Sequence, residues 1–422
     1  MKILLITITY PPEIGGAQQW IHEFAVTLRA RGHQATVLTA YPRYNLSVIP
    51  PQYQDGWQMS EKLDGVPVRR IRIPAFPRTS RLARGFEHFA YGAWLSTAAL
   101  FGPTADVALV FSPPLPLPWL VCWVGRLRRW PVVVNIQDLF PREAVELGIL
   151  TNRWLIRGFE SMEREVHRMA AAITVHSPGN KEHVIQHGGA AERVHVIYNW
   201  VDTDRIRPAP RQNDFARQHH LLDHFVVSYA GTMGWAQDMT TIVDAAACLR
   251  DRADILFLLV GDGVEKQHAK TRSETLGLTN ILWLPMQPAA IYPQILEASD
   301  LSMINLNPDL RTPVVPSKLL NIMAAGRPVV ASLPAESDAR GIIDEAGCGI
   351  CVPAGDGQAL AGAISSLASN PAMAREIGLR GRAYVEAHFT RPVCTAQLEA
   401  LLTDIWKARS SQAKRSFAGG IP

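Results

Sequence analysis

The sequence predicts an α/β protein built from two doubly wound, Rossmann-like domains, and three observations carry that expectation. Short apolar, β-branched runs alternate with amphipathic helical stretches along most of the chain. The alternation breaks once, across residues 203–223, and then restarts. Glycine-rich turns follow several of the strands at the end where open α/β sheets place ligands.

In chain order, Ile3–Thr9 reads as a buried strand, Ala17–Arg31 as a helix with Trp20, Ile21, Phe24, Ala25 and Leu28 along one face, and Gln34–Thr39 as the next strand. Gly32 stops the helix. This is a βαβ unit, so the sheet is parallel. Further strands are expected at Val68–Ile73, Val107–Phe111, Val132–Gln137, Ala172–His176 and His195–Ile197, with a helix over Asn152–Ala170. The stretch 203–223 carries prolines and charges without an apolar strand and reads as a linker. Phe225–Ala230 then opens a second series, with strands at Ile255–Val260, Ile281–Leu284, Leu301–Ile304 and Val329–Ala331. Helices are expected there at Thr240–Arg250, Val264–Leu276, Ile291–Ala298, Lys318–Ala325 and Gly357–Ser369. Beyond Asn370 only helical segments remain, Ala372–Phe389 and Pro392–Lys407. The expected organisation is therefore domain one at 1–202, domain two at 203–385, a helix over 386–407 packing back toward domain one, and a disordered basic tail at 408–422, with the active site in the cleft between the domains.

Composition narrows the functional classes. Hydrophobic residues make up 47% and charged residues 19% of 422, which excludes a disordered or fibrous chain. A net charge of +4 over that length is no argument for nucleic acid. Five cysteines without a disulfide pattern argue for a reducing compartment, and the cytoplasm is expected. Cys348 and Cys351 have redox or zinc spacing but no companion pair or His cluster, so turn-and-strand roles are expected. The opening apolar run is too short for a signal peptide. Val107–Gly125 is long enough to span a bilayer, but Pro113, Pro114, Pro116 and Pro118 break it, so no transmembrane helix is expected.

Four segments carry chemistry. Tyr10-Pro11-Pro12-Glu13-Ile14-Gly15-Gly16 joins the first strand to the first helix, and its two glycines let backbone approach a phosphate or sugar. It is neither a dinucleotide fingerprint nor a P-loop. In Pro316–Ala331, Ser317 reads as the N-cap of a short helix that Gly326 and Pro328 end. Lys318 then sits in the first turn, where a cation opposes the helix dipole by about 0.3–1 kcal/mol unless an anion binds the same end. A diphosphate meets that requirement. Gly231-Thr232-Met233-Gly234 and Gly261-Asp262-Gly263 each end a strand and outline a nucleotide pocket with that helix.

With these segments in view, the chain resembles a retaining glycosyltransferase of family 4, with the GT-B fold, to about residue 405. The resemblance rests on the Pro11–Gly16 turn, Arg31–Thr39, Asn199–Asp202, both glycine turns and Pro316–Ala331, and Ile136–Asp138 with Leu147-Gly148 is similar to the colanic-acid, O-antigen and capsule branch. It implies transfer of a hexosyl or N-acetylhexosaminyl group from a nucleoside diphosphate sugar to a lipid-linked saccharide, with retention, in cell-surface polysaccharide biosynthesis. The donor-binding set it implies is Gly15, Gly16, Gly231, Met233, Gly234, Gly261, Asp262, Gly263, Ser317, Lys318, Leu319 and Asn321, with Lys318 and Asp138 catalytic and no cofactor or metal. Two positions depart from the family. Its Glu-x7-Glu falls on Pro313 and Asn321, with Asp309 as a shifted substitute, and many relatives have His-Asp where this chain has Gln137-Asp138. The departures keep open a sugar-nucleotide-binding partner without turnover, beside a same-fold sugar-nucleotide epimerase.

A lipid-linked acceptor stays in the bilayer, so peripheral association with the anionic inner face of the plasma membrane is expected. Arg69, Arg70, Arg72, Arg78, Arg81 and Arg84 precede the aromatic stretch Phe86–Leu95, and Trp119, Trp123, Arg126, Arg128, Arg129 and Trp130 form a second cluster.

Overall fold

The computed structural model describes residues 1–13, 16–43, 49–74, 81–313 and 315–418, without the side chains of 81–84 and 412–418. The chain divides into two units, Met1–Val145 with Leu150–Tyr198 and Cys394–Pro422, and Glu146–Ile149 with Asn199–Val393.

The first unit begins β1 (Lys2–Ile6), α1 (Gly16–Ala30), β2 (Gln34–Ala40), β3 (Gln58–Leu63), β4 (Val66–Ile71), α2 (Arg81–Leu100) and β5 (Val107–Ser112). It continues α3 (Pro116–Arg128), β6 (Val132–Ile136), α4 (Arg142–Glu146, whose last residue groups with the second unit), α5 (Arg153–Met169), β7 (Ala172–Val175), α6 (Pro178–Gln186) and β8 (Val194–Val196). Its sheet runs β3-β4-β2-β1-β5-β6-β7-β8, parallel except for the β3–β4 hairpin, which the sequence reading did not anticipate. β3 alternates exposed and half-buried residues, an edge-strand pattern that lacks a continuous apolar run. β5 is the opposite case: all six residues are buried because it lies inside the sheet. One face of the sheet packs Leu4, Ile6, Ala108, Val110 and Val134 against Leu95, Val121 and Val166. The proline-broken stretch becomes β5, a turn and α3, and no helix among the described residues is long and apolar enough to cross a membrane.

The second unit holds α7 (Asp214–Gln218), β9 (Phe225–Thr232), α8 (Met239–Cys248), β10 (Ile255–Asp262), α9 (Lys266–Thr275), β11 (Ile281–Leu284), α10 (Tyr292–Ala298) and β12 (Leu301–Asn305). It ends with α11 (Ser317–Ala324), β13 (Val329–Leu333), α12 (Asp338–Ala346), β14 (Gly349–Pro353), α13 (Gly357–Ala368) and α14 (Pro371–His388). The sheet order β11-β10-β9-β12-β13-β14 is fully parallel and reverses at β9, so its ligand crevice lies beyond the C-terminal ends of β9 and β12.

Two expectations change. The stretch 203–223 is not a bare linker: it forms α7 and buries Phe215, Ala216 and Leu221 with Val226, Leu258 and Ile295. Three scattered apolar residues found a shared core that local periodicity does not reveal. The tail expected to lack structure from 408 continues α15 (Arg391–Ala418); residues 419–422 lie outside the described residues. Cys348, just before β14, and Cys351, within it, are free thiols, and burial pushes them up to about 12 and about 11, so neither is a ready thiolate.

Candidate active site

In the second unit the two glycine turns lie side by side. β9 and β10 pair Gly231 with Gly261. A Cβ on Gly261 would lie 1.9 Å from Gly231 O, and one on Gly263 would lie 2.2 Å from Met233 O, so both positions admit no side chain. Met233 is fully buried between the turns, donating from N to Asp262 O at 2.8 Å and accepting on O from Glu265 N at 3.0 Å. Asp262 Oδ1 accepts from Gly263 N at 2.8 Å, and Gly234 N donates to Gln237 Oε1 at 3.0 Å. The result is a compact ledge of backbone at the mouth of the sheet.

Lys318 closes this ledge. A Cβ on Gly231, which sits at φ +137°, would meet Lys318 Cε at 2.5 Å, so this glycine makes room for the lysine stem. Nζ lies 4.2 Å from the centre of the Tyr229 ring and donates to the Tyr229 hydroxyl at 2.5 Å and to Thr232 O at 3.3 Å. No carboxylate partners it among the described residues, and burial lowers its amine to about 7. The same burial raises Tyr229 above its ordinary value.

The helix start differs from the sequence reading. Pro316, not Ser317, is the N-cap; Ser317 is the first helical residue, exposed, and no side chain caps α11. Leu319 is buried, and its N–H is spent on Pro316 O at 2.9 Å. Asn321 hydrogen-bonds the Tyr292 side chain, whose hydroxyl burial pushes up to about 12, so a ribose would have to share or displace that bond. Pro313 is buried and Asp309 is exposed, its N–H bonded to Asn307 Oδ1. Glu146, which clusters with this unit, accepts on Oε2 from Arg311 N, Thr312 N and Thr312 Oγ1 at 2.6–2.9 Å and anchors the loop before Pro313. The sequence reading passed over Tyr229, Tyr292 and Glu146, since an aromatic inside a strand and a helix-end glutamate carry no motif.

In the first unit the sheet order reverses at β1, and Tyr10–Glu13 lie beyond that strand's C-terminal end. Gly16 opens α1, exposed, with nothing within 4 Å of a Cβ; Gly15 lies outside the described residues. Glu13 holds the turn, accepting from Tyr10 N at 3.0 Å and Arg43 N at 2.7 Å. Asp138 follows β6 and Gln137. It retains accessible surface, yet the protein packed around its carboxyl removes enough solvent to hold it above the usual carboxylate range. It sits at the mouth of a narrow hollow shared with Glu163 and His167.

Glu163, His183 and His187 lie close enough together for one metal ion. However, His183 Nδ1 faces Arg142 Nη1 at 3.5 Å, and a guanidinium only donates. His183 Nε2 also lies 2.9 Å from Glu163 Oε1, so both ring nitrogens are already engaged by protein groups and an ion would have to displace one of these contacts.

The surface of the first unit corrects the basic-aromatic clusters. Arg70 is fully buried and ion-paired to Glu61; Trp130 is buried, and Trp119 is half-buried and donates to Glu165. Phe86, Phe101, Trp123, Leu127 and Trp154 are exposed, with Arg126 over Trp123 and both Arg153 and Arg157 over Trp154. Arg78 and the side chains of Arg81 and Arg84 lie outside the described residues.

Two family models match: a glycosyl transferase 4-like domain over residues 15–200 and glycosyl transferases group 1 over residues 224–370. WcaI of Escherichia coli (strain K12), which its name assigns to colanic acid biosynthesis as a glycosyl transferase, is 26% identical over 86% of this chain and 91% of its own. WbjE of Pseudomonas aeruginosa, named as a glycosyltransferase, is 26% identical over 69% of this chain and 74% of its own. Among solved structures, HepE of Anabaena in complex with UDP and glucose superposes with TM-score 0.73 at 20% identity, over 96% of this chain and all of that one. WaaG, a glycosyltransferase involved in lipopolysaccharide biosynthesis, gives 0.66 at 17%, over 96% and 99%.

Proposed function

Because the chain belongs to the GT-B glycosyltransferases, in the colanic-acid and O-antigen branch, we propose that it transfers a hexosyl or N-acetylhexosaminyl group from a nucleoside diphosphate sugar to a lipid-linked saccharide, with retention. The observation that carries this reading is Lys318: a half-buried amine without a carboxylate, at an uncapped helix start, beside a ledge of glycine backbone. Such a site is short of one ligand, an anion. A diphosphate would draw the amine from the Tyr229 ring and use the helix start as its second cation equivalent. As the glycosidic bond breaks, negative charge grows on that leaving group, and Lys318 with the helix dipole stabilises it. In the first unit, Asp138 orients or deprotonates the acceptor hydroxyl, a role its raised proton affinity suits.

The donor-binding assignments to Gly231, Met233, Gly234, Gly261, Asp262, Gly263, Ser317, Leu319 and Asn321 belong to this proposal, as do Gly15 and Gly16 in the first unit. So does peripheral docking at the cytoplasmic face of an anionic membrane. The exposed aromatics of α2, α3 and α5, with Arg126, Arg153 and Arg157 beside them, support it.

The test is a panel of nucleoside diphosphates read by melting temperature, since ligand binding to the native state raises it. The matching nucleotide sugar is then supplied with lipid-linked acceptors. Nucleoside diphosphate release with a product of unchanged anomeric configuration by NMR supports the reading. An inverted product contradicts retention, and nucleotide stabilisation without turnover on any lipid-linked acceptor favours the non-catalytic partner.

A further inference from the structure

The second unit has a cavity of about 540 Å³ at the opposite end of its sheet from the donor ledge. Phe225, the first residue of β9, and Asp300, just before β12, lie on its wall, whereas the ledge begins at Gly231 and Thr232, at the other end of β9. Seven residue steps of strand separate the two ends of β9, about 23 Å. The volume is that of a small-molecule site.

Its charges are unbalanced. Arg211, Arg327 and Arg375 line it against one carboxylate, Asp300. Arg211 Nη1 is paired to Asp300 Oδ2 at 3.0 Å, and its Nη2 donates to the carbonyls of Leu221 and His224. That pair is self-contained. Arg327 is pinned by Nη2 to the carbonyls of Ala209 at 2.7 Å and Glu297 at 2.9 Å, yet its Nε is buried with no partner among the described residues. Burial lowers its proton affinity, with the Asp300 and Glu297 charges opposing. The Glu297 carboxylate is itself engaged by Asn213 Nδ2 at 3.1 Å. Arg375, in the first turns of α14, is exposed and makes no ion pair or hydrogen bond among the described residues. Among the described residues neither Arg327, fixed in the wall, nor Arg375, free at the rim, has an ion-pair partner, although the Glu297 charge acts on Arg327 from outside the lining. The start of α14 lies beside them and adds partial positive charge.

We propose that this cavity binds a small phosphomonoester, distinct from the donor. A phosphate dianion complements two guanidinium groups that lack ion-pair partners, and the exposed Arg375 has its donors free to take phosphate oxygens in pairs. The remaining wall, with Pro208, Pro210 and Pro328, offers apolar surface suited to the carbon skeleton of such a ligand. The cavity also touches the donor site's own helix: Ala325 and Gly326, at the C-terminal end of α11, line it, and Lys318 sits at the other end.

The test is calorimetric titration, at constant ionic strength, of the full chain with glucose 6-phosphate and with inorganic phosphate, first saturated with UDP and then without nucleotide. Saturable one-to-one binding of glucose 6-phosphate is expected, weakened at least tenfold in Arg375→Glu and unchanged in Lys318→Ala. Inorganic phosphate is expected to bind more weakly at the same site. An unaltered melting temperature in Arg375→Glu certifies its fold, and Arg375→Ala provides a second variant with the same expected direction. Absence of saturable binding overturns the proposal, as does equal binding in both Arg375 variants. Loss of binding in Lys318→Ala would also overturn it, by placing the ligand on the donor ledge. The arms without nucleotide keep this outcome separate from the fate of the donor reading.

Discussion

Nucleotide binding should take up a proton through Lys318. In the structure its amine falls from 10.5 to about 7 because burial strips it of water and no carboxylate replaces that water. A diphosphate beside it restores the charged form. At about 1.4 kcal/mol per tenfold change in proton affinity, full recovery is worth at most about 5 kcal/mol, less what remaining water already supplies. At pH 8 about one amine in ten is charged in the free protein and nearly all are charged in the complex, so binding should absorb about 0.9 proton per site. The dissociation constant should then rise about tenfold per pH unit between pH 7.5 and 9, where the nucleotide's own phosphates no longer titrate. Calorimetry in buffers of different ionisation heat measures the proton count, and Lys318→Met should abolish it. The stability side has a definite direction. Between pH 7 and 10.5 the unfolded chain binds the proton more readily than the folded one, so this lysine opposes folding below about pH 7, and its penalty fades as pH rises toward 10.5. Lys318→Met should therefore melt no lower than the native protein at neutral pH. Zero proton uptake at pH 8 with intact UDP binding would refute the placement of the diphosphate at α11.

Three other outcomes follow from particular contacts. Gly261→Ala forces a Cβ to within 1.9 Å of Gly231 O, so it should destabilise the second unit by about 1–3 kcal/mol and weaken nucleotide binding; an unchanged urea midpoint would mean the two turns can separate freely. Asp138→Asn should lower turnover much more than UDP affinity without lowering the melting temperature, because at neutral pH the ionised carboxylate is disfavoured by its surroundings. The acid limb of the native rate profile should lie above the ordinary carboxylate value of about 4, and a limb at or below it would remove Asp138 as the titrating group. Native protein should sediment with anionic liposomes in a salt-sensitive way, and Arg153→Glu with Arg157→Glu should release it; binding indifferent to both salt and these changes would place the contact elsewhere.

Much of the fold was legible in the residues because parallel strands buried on both faces leave continuous apolar runs, as Val107–Val110 and Val329–Val330 do. The hairpin strand Gln58–Leu63 was not, since an edge strand buries only alternate side chains halfway. The stretch 203–223 hid for a related reason: Phe215 and Leu221 are isolated in sequence and meet only in the core. At the candidate site the glycines and Lys318 announced themselves by type and spacing, because close backbone approach and a cation at a helix start are local demands.

What the sequence determined by itself was the pair of parallel α/β units, the glycine turns at strand ends, and a lysine set against its own helix dipole, all consequences of short-range patterning. Tertiary structure alone decided that Tyr229 receives the lysine amine, that Asn321 is already bonded to Tyr292, that Arg70 and Trp130 are buried rather than presented to a membrane, and that Arg327 and Arg375 face a common cavity. These pairings join residues from 29 to 89 positions apart or turn a side chain inward or outward. Desolvation and hydrogen-bond partnership depend on three-dimensional neighbours, and no spacing rule along the chain encodes them.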